Sequence, residues 1–296
     1  MVFEVGFGDG RYLEHLSSAH PEWNLIGAEV SLGSVWRAFR RMKRAGINGV
    51  RLYKGNARFL VRDVFELGSL DRVFVNFPDP WPRKKHLKNR LLQVPFFHIL
   101  SSRLKPGGSL FLTTDHPEYF AFSVDQGRQS NCFDVIEGRP PPATLKTKYA
   151  MKWRDQNKPI FHAEFRCHTV VSSAPRPISK IEMQHATLKG SLDNLGPFTK
   201  QVRKFDGGHA FIMEAYRELG SKGLLFKAIS EEPDFRQELL IQAWPKDTGE
   251  DEKGEAVFVS LQPFGDPMTT QGVREAVLAV TDWLVSQGLE IDQTWV

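Results

Sequence analysis

The run Glu4-Val5-Gly6-Phe7-Gly8-Asp9-Gly10 sets three alternating glycines between a short apolar stretch and an amphipathic one. Glycine lets the backbone turn through angles other residues avoid and pass close beneath a ligand, while the helix that opens beyond it presents free amide hydrogens. A dinucleotide fingerprint, G-x-G-x-x-G, would require glycine at position 11, where Arg11 stands instead. Outward from this turn, strand-like runs at about 2–6, 24–29, 50–54, 70–76 and 109–114 alternate with helical patterns near 10–19, 32–45, 57–66 and 95–104. That alternation predicts a doubly wound parallel sheet. Pro95 suits a first helical turn, and Lys105-Pro106-Gly107-Gly108 ends that helix and turns the chain into the next strand.

The second half reads differently. The interval from Gly138 to Ala143, with Pro140-Pro141-Pro142, has the composition of a linker or crossing segment. Runs at 160–171, 183–189, 210–216, 223–230, 239–244 and 255–261 then read as strands, many joined by glycine-containing turns. Residues 270–287 read as one amphipathic helix with Val273, Val277, Val280, Leu284 and Val285 on its inner face. The expected architecture is an α/β domain over 1–150 and an α+β domain over 151–296, an antiparallel sheet covered by a helix.

With 296 residues, 41% of them hydrophobic, the chain can fill two ordinary cores. Its net charge of +4 is unevenly spread: residues 1–150 hold 22 Lys and Arg against 14 Asp and Glu, leaving 17 against 21 in the rest. A basic first half suits a phosphate-bearing partner, although a solvated surface accounts for the count equally well. No apolar run approaches the roughly 18 residues of a membrane span, and the N-terminus lacks the pattern of a signal peptide. The expectation is a soluble, cytoplasmic protein with no membrane association. Cys132 and Cys167 lack metal-ligand spacing and read as buried apolar residues, and the scattered histidines form no metal constellation.

Glu-x-Gly-x-Gly-x-Gly resembles the first motif of Rossmann-like methyltransferases. In that setting Glu29, 19 residues beyond Gly10 and at the end of the second strand, offers a carboxylate to both ribose hydroxyls of an adenosyl group. Gly55-Asn56-Ala57 occupies the place where such enzymes hold the adenine ring, and Asn56 equally fits a helix N-cap. Glu4 either bonds a backbone amide beneath the loop or meets the methionine part of the cofactor.

The most specific stretch is Asn76-Phe77-Pro78-Asp79-Pro80-Trp81-Pro82-Arg83-Lys84-Lys85-His86-Leu87-Lys88-Asn89-Arg90-Leu91. It follows the fourth strand, and open α/β sheets bind ligands outside the carboxyl ends of their strands. Three prolines stiffen the loop, and five of the eight residues from Arg83 to Arg90 are basic, next to Trp81: a charged patch with a stacking surface, as RNA requires. His86 would meet phosphate there or have no role. Arg37, Arg40, Arg41, Lys43 and Arg44, on the helix after Glu29, either extend this surface or form a solvated helix face.

From Phe3 to about Tyr149, half the chain, the sequence resembles the bacterial tRNA (guanine-N7-)-methyltransferase family, whose enzymes modify a guanine in the tRNA variable loop. The resemblance implies a Rossmann-like class I methyltransferase sheet, S-adenosyl-L-methionine as cofactor and tRNA as partner. It implies that Glu4, Gly6, Gly8, Glu29, Asn56 and Asp79 bind the cofactor, with Asp79 catalytic. Arg83, Lys85, His86, Lys88, Arg90, Asp115, Thr147, Lys148 and Tyr149 would meet the substrate. The chain departs from the family's pattern in carrying Asn56 for Asp, Arg83 for Lys, and Ala150 where an acidic residue commonly follows Thr-Lys-Tyr. The family also has a segment ahead of the first strand, so the resemblance leads one to expect a start further upstream. The competing readings are an N-methyltransferase for another base or amine and a tRNA-binding protein without catalysis. For the second domain a stabilising role ranks ahead of dimer formation or orientation of the tRNA body.

Overall fold

The computed structural model describes residues 1–146, 158–171, 185–246, 256–265 and 267–295. The glycine run leaves β1 (Val2–Val5), which lies between β2 (Leu25–Glu29) and β4 (Leu70–Asn76) and pairs in parallel with both. β3 (Val50–Lys54) flanks β2, and β5 (Leu104–Thr114) flanks β4, also in parallel. The connections carry α1 (Arg11–Ala19), α2 (Leu32–Arg44), α3 (Ala57–Phe59), which runs into a π turn at Leu60–Val64, and α4 (Val94–Arg103). All five expected strands and four helical stretches are present, β5 beginning at 104 rather than 109. The π turn has a visible anchor: the buried Arg103 donates to the carbonyls of Val61 at 2.8 Å and Arg62 at 2.6 Å.

Beyond β5 the chain forms α5 (Pro117–Gln129), β6 (Phe133–Gly138) and β7 (Phe161–Cys167). β7 inserts antiparallel between β5 and β6, giving the order β3-β2-β1-β4-β5-β7-β6. The run beginning at residue 160, expected in the second domain, thus completes the first sheet. The first compact unit therefore reaches past residue 150 to take in β7. Packing explains the difference: Ala163 and Phe165 are fully buried, and the Phe165 ring occupies the space above Gly127 of α5, where an added Cβ would lie 2.5 Å from it.

The second unit holds β8 (His185–Lys189), β9 (Gln201–Phe205), β10 (Gly208–Arg217), β11 (Leu224–Glu232), β12 (Phe235–Lys246), β13 (Ala256–Leu261) and β14 (Glu290–Trp295). They form one antiparallel sheet in the order β14-β8-β13-β12-β11-β10-β9. One face is covered by α6 (Gln271–Ser286), as the amphipathic pattern predicts. Val273, Val277, Val280 and Leu284 are buried against Ile212, Phe226 and Ile241, whereas Val285, expected on the same face, is exposed. One residue is a 100° turn of an α-helix, enough to carry Val285 off the stripe. No helix among the described residues is long and apolar enough to cross a membrane.

α1 and α2 meet at Gly10, which has φ +79° and where an added Cβ would lie 2.8 Å from Cβ of Ala38. Gly46 has φ +67° but open space around it, and it ends α2 in a Schellman turn, with Ile47 N–H on the carbonyl of Met42 at 3.0 Å. Gly10→Ala is therefore expected to cost about 2–4 kcal/mol, left-handed strain plus overpacking, against about 1–2 kcal/mol for Gly46→Ala, which carries strain alone. Urea unfolding of both variants measures the difference, and equal losses would show that the α1–α2 contact tolerates a methyl group.

Candidate functional site

The carboxyl ends of β1 to β5 gather the chemistry-bearing residues on one edge of the first sheet. Gly6, Gly8 and Gly10 all adopt left-handed backbone angles, with φ +70°, +58° and +79°. Between them Phe7 is buried, its ring filling the space over Gly27 of β2, where an added Cβ would come within 2.6 Å. The Glu29 carboxylate accepts from Gly8 N–H at 3.0 Å through one oxygen and from Ser31 N–H at 2.9 Å through the other. It thereby ties the glycine turn to the start of α2. Each oxygen keeps acceptor capacity.

A small cleft open to solvent lies against this turn, lined by Glu4, Gly6, Gly8, Tyr12, Asn76 and Phe77, with Arg11 and Arg37 also on its wall. At its floor the Asn76 amide donates to Glu4 Oε1 at 3.4 Å, while Glu4 Oε2 and Asn76 Oδ1 are buried without a hydrogen-bond partner. Burial pushes the Glu4 carboxyl up to about 8, with the Asn76 hydrogen bond opposing and the Glu29 and Asp9 charges adding to the rise. An orphaned amide oxygen beside a carboxyl that gives up its proton when a positive charge arrives is suited to a bound cation or ammonium donor. Asn56 Oδ1 accepts from Arg58 N–H at 2.9 Å, so this side chain is the N-cap of α3. Gly55 N–H bonds the Glu29 carbonyl at 3.0 Å and keeps the cap beside the Glu29 turn.

The loop after β4 is held in an uncommon conformation. Phe77 and Trp81, neither of them glycine, have φ +51° and +44°, and Phe77 N–H is fixed to the Thr113 carbonyl at 2.7 Å. Asp79 between them is exposed and makes no hydrogen bond or ion pair with the described residues. The rings of Trp81 and His86 are 5.8 Å apart, and a 3-10 helix, Lys84–Asn89, follows. Arg83, Lys84, Lys85 and Lys88 are exposed, with no carboxylate among the described residues within ion-pair distance. Asp115, half-buried just after β5, has no basic side chain within ion-pair distance among the described residues. Thr147, Lys148 and Tyr149 lie outside the described residues.

Arg90 corrects the expectation of a phosphate contact. It is 1% exposed, with Nε donating to the Pro80 carbonyl at 2.9 Å and Nη2 to Glu118 at 2.8 Å. Its guanidinium sits 4.7 Å over the Phe122 ring, and its own carbonyl accepts from Arg58 and Gln93. Arg90 therefore closes the loop onto α5 from inside and is out of reach of a phosphate. Sequence reasoning also passed over Asn76 as a site residue. Its signal was present, an amide ending the apolar run Val73-Phe74-Val75 at the buried end of a strand.

The family described as "Putative methyltransferase" matches residues 1–163, a span that reaches into β7. A tRNA (guanine-N(7)-)-methyltransferase of Thermus thermophilus is 41% identical over 293 residues, covering 99% of this chain and 91% of its own length. The chain belongs to the tRNA (guanine-N(7)-)-methyltransferase family. The Deinococcus radiodurans member is 41% identical, covering 97% of this chain and 89% of its own, and the Thermotoga maritima member is 30% identical over 97% and 90%. These alignments run through both units, so the second unit is shared with those members of the family.

Arg90→Met keeps most of the volume but leaves the Pro80 carbonyl without its donor. It is expected to lower the unfolding free energy by about 1–3 kcal/mol, against less than about 0.5 kcal/mol for Lys88→Met on the same segment. Chemical denaturation decides it, and equal values would show that Arg90 does not anchor the loop. Glu4 gives a second test. Its carboxyl stays protonated in the folded, ligand-free chain up to about 8, from an ordinary value of 4.5. Stability should therefore fall as pH rises through that window, by up to about 1.4 kcal/mol per pH unit, relative to Glu4→Gln. Parallel stability curves for the two proteins between about pH 5 and pH 8 would exclude a protonated Glu4.

Proposed function

We propose that the cleft under the glycine turn holds S-adenosylmethionine and that the chain methylates N7 of a guanine in tRNA, with Asp79 at the point of transfer. The observation that carries this reading is the junction at Asn76-Phe77. The cleft ends there, and the loop that begins there presents a carboxylate with no partner among the described residues. When bound, S-adenosylmethionine supplies a methyl group made electrophilic by a sulfonium.

In this reading the orphaned oxygens of Glu4 and Asn76 accept from the ammonium of the methionine part, and Arg37 on the cleft wall faces its carboxylate. Glu29, with both oxygens already positioned by backbone amides, uses its remaining acceptor capacity for the ribose hydroxyls. Asn56 borders the adenine. Guanine N7 carries an in-plane lone pair and no proton, so this chain's main task is alignment, a contribution that can reach about 7–11 kcal/mol. Asp79 accepts from the guanine N1 and N2 donors and offsets the positive charge that moves onto the purine. Trp81 and His86 border the base. Arg83, Lys84, Lys85 and Lys88 neutralise phosphates and set the register of the RNA without reading its sequence. Asp115, and Thr147, Lys148 and Tyr149 outside the described residues, complete the substrate side.

Transfer of radiolabelled methyl groups to unmodified tRNA, with nucleoside analysis, tests the reading. Asp79→Ala is expected to lower kcat for 7-methylguanosine formation on the order of 10²–10³-fold. A folded wild-type chain that binds S-adenosylmethionine but forms no 7-methylguanosine would overturn the substrate assignment. Undiminished activity of Asp79→Ala would remove Asp79 from the transfer site.

A further inference from the structure

α2 carries side chains that the methyl-transfer site does not use. Its 13 residues include five Lys or Arg and no acid. Ser34, Ala38 and Met42 turn inward, and the opposite face exposes Leu32, Trp36, Phe39, Arg40, Lys43 and Arg44. Trp36 is 54% and Phe39 48% exposed, their rings edge to face at 5.8 Å. Arg41 is neutralised locally by Glu14 at 2.9 Å and Asp9 at 3.6 Å. Arg40, Lys43 and Arg44 have no carboxylate within ion-pair distance among the described residues. The basic side chains wall a hollow beside Asp9, and Asp9 and Arg37 also line the cofactor cleft, so the hollow and the cleft share a wall.

Three uncompensated cations along one helix repel one another and favour a polyanion in their place. Two large aromatic rings left in water beside them are what a protein partner or an unpaired base would cover. The surrounding charge favours nucleic acid, because aromatic faces interleaved with basic side chains are how RNA is gripped without regard to sequence. We infer that the exposed face of α2 is a second RNA-binding surface, on which Arg40, Lys43 and Arg44 hold the sugar-phosphate backbone of tRNA while Trp36 and Phe39 stack on an unpaired base. This rests on the reading of the chain as acting on tRNA. It adds a contact that approaches the cofactor cleft from the α2 side, apart from the loop that bears Asp79.

The test uses an unmodified tRNA transcript and the full chain, with Arg40→Gln/Lys43→Gln/Arg44→Gln as one variant and Trp36→Ser/Phe39→Ser as another. Each phosphate-neutralising charge contributes about 0.7–0.9 to the slope of log Kd against log salt, so the triple variant should flatten that slope by about two to three. Its KM for tRNA should rise on the order of tenfold or more, with kcat and S-adenosylmethionine affinity unchanged. The aromatic variant should weaken tRNA binding on the order of tenfold at every salt concentration. Unchanged slope and KM in folded triple variant would overturn the inference. So would a wild-type dimer that the aromatic variant dissociates, since the rings would then belong to a protein contact. The slope is read from binding, so it remains decisive even if wild type forms no 7-methylguanosine, a result that would count against the catalytic reading alone.

Discussion

The Glu29 carboxylate has two oxygens and two backbone amides to satisfy, those of Gly8 and Ser31. Hydrogen bonds to an ionised acceptor are stronger than neutral ones, and here they join the turn after β1 to the turn before α2. Apart from that tie, the three alternating left-handed glycines are held by the buried Phe7 ring, by backbone bonds at Gly6 and Gly10, and by Arg41, whose Nε donates to the Asp9 carbonyl at 2.9 Å. Glycine loses the most conformational freedom on ordering, so a turn rich in it needs an external clamp. The placement of the Glu4–Asn76 floor beneath a defined opening follows from this clamp.

The loop bearing Asp79 is held by a different device. Its backbone begins at Phe77, bonded to β5, and ends at Arg90, whose guanidinium reaches back to Pro80 and forward to Glu118 of α5. The prolines restrict the path between these two ends. An exposed carboxylate on such a loop keeps its direction through the backbone alone, as a group that must meet a ligand requires.

Much of the fold could be read from the chain, and the misses share a cause. β1, β2, β4, β5 and the inner strands of the second sheet carry buried apolar residues and announce themselves as apolar runs, and the edge strand β3 was found from its place between two helical patterns. β6, β9 and β14 were not foreseen, and each is the edge strand of its sheet. Edge strands are short and polar because an apolar edge invites association, so Gln201–Phe205 and Glu290–Trp295 resemble loops in composition. α5 was missed because His116, outside the usual capping residues, provides its N-cap, with Nδ1 accepting from Tyr119 N–H. In the candidate site, the places of the glycine run and the Pro-Asp-Pro loop after β1 and β4 were legible from the alternation of elements, and the roles expected of them came from the family resemblance. Arg90 was not, because nothing in a run of basic residues marks the one that turns inward.

The position of β7 has a consequence for synthesis. Among the described strands β6 pairs only with β7, and β7 comes after residue 160, so β6 emerges from the ribosome before the strand it docks on. The five parallel strands can assemble earlier, with the backbone N–H and C=O groups of β5 unpaired along one edge. Chains fold in order of emergence, and an uncovered strand edge is a site for wrong pairing. During the interval in which residues 139–160 are being made, the nascent sheet carries its most exposed edge, the stretch of its life in which a ribosome-associated chaperone would matter most.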